Sequence, residues 1–386
     1  MPTNLPLDRL VRKETALGVV REIVPPQNHI GLQVVAPWLQ VATDDVIFDY
    51  AKGLTDGLAP ARAEDAESEL AQKDDTFVGT GRASVIDWSL KDHYVASDVS
   101  RYREALLIAE QTRDTLSLPL TVSSMTEGFL AKVARDTARR RRKLDNRLEW
   151  LIMTAISTGA IAYNDGKISF SVDYGRPAAQ AASNAANDLA KAGVTDGAIN
   201  FSGTTHDPIG FVLGIQEFMY DTYGVRMTRA IASRKFLNSL WRSDKFRPLT
   251  GFTDASADPR YLIAGWSPQA AIQAVQAATG VTFIEYDSVY RTRPIGSNTV
   301  TNNRFLPEQR VIFLPEESDV NEFADTEIGF GKTLTSPHPM GNWQPGFYEW
   351  ERETEDPWGR DVGTGVKAFP VFPHMDLTYA VDVTLP

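Results

Sequence analysis

The chain of 386 residues contains no cysteine. That absence removes disulfides, thiolate nucleophiles, zinc–cysteine centres and iron–sulfur clusters from consideration. Histidine is scarce: the five are His29, His93, His206, His338 and His374. None is spaced as HxxxH, HExxH or HxH, so the pair of imidazoles that a helical zinc site sets on one face is missing. No apolar run approaches the roughly 20 residues needed to span a bilayer. The longest, "LEWLIMTAI", reads as a helix face. The opening "MPTNLPLDRLVRKETALGVV" carries charges where a signal peptide needs an apolar core, so a soluble, non-secreted protein is expected.

Catalytic signatures are equally sparse. There is no GxSxG elbow and no GxGxxG behind a strand. Gly331-Lys332-Thr333 in "EIGFGKTLT" imitates a phosphate loop, but the first glycine of that motif falls on Thr326, and the segment neither follows a clear strand nor opens a helix. "THDP" at 205–208 is explained by helix capping, with Asp207 as the cap and Pro208 at the first helical position. "ESDVNEFADTE" and "EWERETEDPW" read as solvated acidic loops rather than as paired general acids and bases. No catalytic, cofactor or metal residue is assigned, and no enzyme is expected.

What is present is the composition of a soluble globular protein: 42% hydrophobic, 23% charged and 10% aromatic residues. Such a chain can bury a sizeable core, and its length suits two to three domains. With 39 Lys and Arg against 50 Asp and Glu, the net charge is −11. A protein that wraps nucleic acid with its whole surface is excluded by that balance, because affinity scales with the phosphates neutralised. Any such contact requires a local basic patch.

Along the chain, "HIGLQVVAPWLQVATDDVIFDY" gives short extended pieces that need another surface to lie on. Residues 55–75 are acidic and solvated. "TFVGTGRASVIDWSLKDHYVASDVS" then alternates, and Val85, Trp88 and Tyr94 bring more apolar surface than so short a piece can bury alone. A helix is expected over 100–116 and a longer one over about 123–157, with Ser124 and Glu127 at capping-box spacing and Gly159 as the stop. Asn164-Asp165-Gly166 marks a hairpin. After an Ala-rich segment at 178–192, helices and strands alternate through roughly 200–315, an α/β unit. The tail from 316 is strand-rich, and its last strand, with Leu377, Tyr379, Val381 and Val383 alternating, is expected to be docked.

The long helix carries "RRRR", Arg139 to Arg142. Four consecutive helical residues sweep about 300° of rotation, so they cannot share one partner. Arg141 falls near the apolar stripe. Two readings stand for the rest: a solvated or subunit-contacting face, or a phosphate-binding patch in which Arg139, Arg140 and Arg142 join Lys132, Arg135 and Lys143.

Where single motifs are silent, the order of the pieces is informative. The Arg-rich helix running into "LEWLIMTAISTGAIAYNDGKISFSVDYG" resembles the corresponding region of the lambda-type phage major capsid (phage capsid E) family. "HIGLQVVAPWLQVATDDVIFDY", "FIEYDSVYRTRPIGSNTVTNNRFLPEQRVIFLP" and "PGFYEWERETEDPWGRDVGTGVKAFPVFPHMDLTYAVDV" fit the same family. The resemblance implies an α+β chain with the Hong-Kong-97-type capsid fold. Its parts would be an N-terminal arm (1–55), an extended loop (56–95), a peripheral domain with the spine helix and hairpin (96–175) that returns at 316–386, and an axial domain (176–315). It implies a shell built of pentamers and hexamers around non-specifically packaged double-stranded DNA. Scaffold, portal and decoration proteins would be further partners, with assembly in the host cytoplasm, no membrane and no cofactor. Val85, Trp88 and Tyr94 would be intersubunit contacts of the extended loop. The alternatives are an encapsulin-like compartment shell and, from another class, a soluble hydrolase using its acidic loops.

Overall fold

The computed structural model describes residues 13–52, 77–95, 120–166, 168–181, 200–244, 268–293, 299–318, 329–356 and 358–386, with isolated positions between them. Most of the helix expected over 100–116 and most of the Ala-rich segment lie outside these residues, as does all of 55–75.

A single helix, α2 (Leu120–Thr158), organises one half of the molecule. α1 (Lys13–Glu22) precedes it in the chain. The 39 residues of α2 extend about 58 Å at 1.5 Å per residue. Leu144, Leu148, Leu151, Ile152, Ala155 and Ile156 recur at three- and four-residue spacing and are all buried, which holds the helix by tertiary packing rather than by propensity. The helix starts earlier than the capping-box spacing predicts: Ser124 lies inside it.

The C-terminal end follows expectation. Gly159 adopts φ 77° and donates its N–H to the Ala155 carbonyl at 2.8 Å. The orphan carbonyls there are taken by two arginines from distant segments. Arg176 donates to Ile156 O at 2.6 Å and Ser157 O at 3.1 Å, and Arg310 to Ser157 O at 3.3 Å. Cations at a helix C-terminus also complement its dipole. Arg310 is fixed in turn by both carboxylate oxygens of Asp382, at 2.8 and 2.9 Å.

The sheet beneath α2 is built on β16 (Trp358–Val371). β4 (Asp87–Val95) and β15 (Phe347–Glu355) flank its first part, both antiparallel. β12 (Lys332–Thr335) pairs with its last part, and β1 (Trp38–Gln40) adds to β12 in parallel. The N-terminal segment therefore lies on its own chain's body from α1 onward. β2 (Asp45–Lys52) and β3 (Phe77–Ser84) form a separate two-stranded ribbon. β5 (Ala160–Asn164) and β6 (Ser169–Asp173) make the expected hairpin off the end of α2.

The α/β unit has its own core and a four-stranded sheet in the order β17-β11-β7-β8. These strands are β7 (Met227–Ala232), β8 (Thr282–Glu285), β11 (Arg310–Pro315) and β17 (Tyr379–Asp382), while β9 (Val289–Thr292) with β10 (Thr301–Arg304) and β13 (Pro337–His338) with β14 (Gln344–Pro345) form separate two-stranded pairs. Helices α3 (Pro208–Tyr223), α4 (Arg234–Leu240) and α5 (Pro268–Thr279) accompany them. Asp207 caps α3 by accepting from Gly210 N, as the sequence predicts. The final strand is docked, but in this sheet: β17 pairs with β11, so the chain's end belongs to the α/β unit and not to the sheet beneath α2.

Candidate functional site

The arginine run occupies the middle of α2, and the helix sends its members to different places. Arg140 points straight down onto the sheet and is 2% exposed. Its guanidinium donates to Asp92 on β4 at 2.6 Å, Thr364 on β16 at 3.0 Å and Glu349 on β15 at 3.1 Å. A fourth bond goes to Thr137 on α2 itself at 2.8 Å. One side chain thus ties the helix to all three strands below it. Burial pushes the Glu349 carboxyl above the usual range, against the pull of Thr137 and Arg140. Arg141, also buried, pairs with the fully buried Asp145 at 3.1 Å and lies over the Phe347 ring.

Arg140 therefore leaves the basic patch that the sequence suggests; its charge is consumed inside the chain. The other members stay outside. Lys132, Arg135, Arg139, Arg142 and Lys143 are all exposed, and their spacing places them within about 100° of helix rotation. Lys132 pairs with Asp98 at 2.7 Å, and Arg139 weakly with Asp136 at 3.5 Å. Arg135, Arg142 and Lys143 form no ion pair among the described residues.

The three apolar residues expected to seek a neighbouring subunit find partners at home. Tyr94 is 3% exposed and donates its hydroxyl to Asp136 at 3.2 Å. Trp88 donates Nε1–H to the Ala368 carbonyl at 3.1 Å and packs edge-on against Tyr163 at 5.4 Å. Val85 packs on the same core. For Trp88 and Tyr94 the reason is β4: once this strand pairs with β16, these side chains face the β5–β6 hairpin and α2. No spacing in the sequence reveals a partner strand some 270 residues away.

A second joint was not legible in the sequence. Glu149 of α2 is fully buried and accepts from Tyr286 Oη at 2.7 Å, Ile30 N at 3.1 Å and Gly31 N at 3.0 Å. It binds the N-terminal segment and the α/β unit to the helix. Burial raises its pKa to about 7 despite those three donors, and Asp145 nearby adds to the rise. A β-carbon at Gly31 would lie 2.6 Å from the Glu149 carboxylate, so only glycine lets the backbone approach this closely.

Nothing in this arrangement resembles a reaction centre. Among the described residues no group of three or more His, Asp or Glu could hold a metal ion. Three of the five histidines are taken up one at a time: His93 on Asp361 at 2.7 Å, His338 stacked on Tyr348, His29 edge-on to Phe305. Lys332 and Thr333 of the imitation phosphate loop lie in β12. "EWERETEDPW" is not a loop. Most of it is β15, and its alternate residues Glu351 and Glu353 hold the buried Arg360 at 2.6 and 3.2 Å.

The sequence model of the phage major capsid protein E family matches residues 18–383. No curated protein matches the chain in sequence. Among solved structures, one assigned as a prophage capsid protein of E. coli CFT073 aligns at TM-score 0.54 and 14% identity, covering 97% of this chain and 99% of that one. A phage-related protein from Bordetella bronchiseptica aligns at 0.50 and 15%, covering 97% of each. An encapsulin complex from Synechococcus elongatus reaches only 0.36 at 11% identity, over 96% of this chain and 95% of that one, a likeness too low to argue from. The fold is the Hong-Kong-97-type capsid fold.

Proposed function

The chain belongs to the phage major capsid protein E family, and from that premise we propose that its copies close into an icosahedral head of pentamers and hexamers around double-stranded DNA. Shell formation is the family's work, and the protein is a structural component of the virion rather than an enzyme. The observation that carries this reading is the family match over nearly the whole chain, from 18 to 383. A match confined to the α/β unit would have spoken for a shared domain only.

Within that reading the sheet under α2 is the peripheral domain and the α/β unit the axial domain. The β2–β3 ribbon fits the extended loop better than β4 does, since β4 is paired inside the main sheet. On the ribbon Ile47 is 70% exposed, apolar surface of the kind a neighbouring copy covers. Scaffold, portal and decoration proteins are the further partners, and assembly takes place in the host cytoplasm.

Purified particles treated with nuclease test the cargo. Nuclease-resistant double-stranded DNA inside the shells is the expected result. Shells that enclose a second protein and no nucleic acid would instead establish the encapsulin-like alternative.

A further inference from the structure

Between Ala131 and Lys143, α2 shows solvent only cations and alanines. The exposed residues there are Lys132, Arg135, Arg139, Arg142 and Lys143, with Ala131 and Ala134 beside them. The five cations lie on the side of the helix roughly opposite Val133, Thr137, Leu144 and Leu148, which are buried. They point away from the sheet and extend along about 16 Å of helix. Asp136 is the one acidic residue of that stretch. Its side chain is largely covered and takes the Tyr94 hydroxyl at 3.2 Å. Without these five cations the net charge of −11 would be −16, so the face stands out against an acidic chain.

Two classes of partner carry the opposite sign: a polyanion, or an acidic surface of a second copy. The face lacks what a protein contact is built on. Interface cores are anchored by large side chains, aromatic ones above all, and are depleted in lysine. Here no exposed apolar side chain is larger than alanine. A phosphate backbone asks for the reverse: mobile cations in a row, and small residues between them that let a rod come close. Over about 16 Å duplex DNA presents about nine charges counting both strands, enough to engage all five cations. We propose that this face of α2 binds the phosphate backbone of double-stranded DNA without regard to sequence. The inference rests on the shell reading above and names the surface that meets the cargo.

The test measures binding of the purified full-length subunit, kept unassembled, to two short duplexes of unrelated sequence between about 50 and 200 mM salt. Arg135→Gln with Arg142→Gln and Lys143→Gln removes three cations that hold no ion pair among the described residues. Arg234→Gln with Lys235→Gln and Arg242→Gln removes the same charge from the exposed surface of the α/β unit, as the control. All six residues are exposed, and thermal melts of both variants are expected to match the parent. The α2 variant is expected to bind both duplexes about tenfold more weakly, and to flatten the slope of log affinity against log salt by about three, near 0.9 per phosphate contact. The control is expected to stay within about twofold of the parent. A parent subunit that binds neither duplex, an α2 variant with unchanged slope, or a control that loses as much overturns the proposal. So does an α2 variant that keeps duplex binding and loses shells, which gives the face to a second copy. If the triple variant melts early, Arg142→Gln alone replaces it, with the slope expected to flatten by about one; an unchanged slope overturns the proposal. A parent protein that binds DNA through this face but forms no shell contradicts the function reading alone.

Discussion

Arg140 and Arg139 are neighbours in sequence and opposites in energetics. Arg140 is 2% exposed and held by two carboxylates and two hydroxyls, so removing its side chain leaves Glu349 charged or unpaired in a buried site. Breaking a buried pair in this way costs about 3–5 kcal/mol. Arg139 has a 70% exposed side chain and one loose partner, and surface changes of that kind stay within about 0.5 kcal/mol. Arg140→Ala is therefore expected to lower the urea midpoint of the unassembled subunit sharply, and Arg139→Ala to leave it in place. Equal midpoints would contradict the assignment. The sequence allows only half of this distinction. Helical geometry separates the four arginines and puts Arg141 near the apolar stripe, but Arg140 is indistinguishable from Arg139 until Asp92 and Glu349 are brought under it. Glu349 is 209 residues distant, and no local pattern announces it.

At the scale of elements, the joint at Glu149 sets a pH dependence. Its carboxyl has a pKa raised from the ordinary 4.5 to about 7, so the folded protein holds a proton that the unfolded chain releases between those values. Stability from this group is fully present below about 4.5, is lost as pH rises through about 7, and is level above that. The shift corresponds to at most about 3 kcal/mol. Glu149→Gln keeps an oxygen for the Ile30 and Gly31 N–H groups and removes the titration. Its stability relative to the parent is expected to rise across pH 4.5–7, read from paired denaturation curves; parallel profiles would contradict the role. Elements with local signals were legible in the sequence: the turn at Asn164-Asp165-Gly166, the Gly159 stop and the Asp207-Pro208 cap each satisfy their requirement within a few residues. β15 was misread because its glutamates suggest solvent. The arginine that neutralises two of them, Arg360, arrives on the adjacent strand.

For the whole molecule, the α/β unit and the spine helix with its hairpin could be recognised from sequence order, whereas the membership of β4 and β17 could not. Both strands pair far from their sequence neighbours, β4 with β16 and β17 with β11. The chain closes the C-terminal end of α2, the Glu149 joint, Arg140 and Arg141 internally, yet leaves Lys132, Arg135, Arg139, Arg142 and Lys143 exposed on α2 and the β2–β3 ribbon separate from the other sheets. Repetition of the same contact among many copies supplies what one copy lacks. The central claim is that this subunit builds closed shells. Electron microscopy of the purified full-length protein tests it most directly: uniform closed icosahedral particles are predicted, and a preparation holding only monomers or small open oligomers under every assembly condition would contradict it.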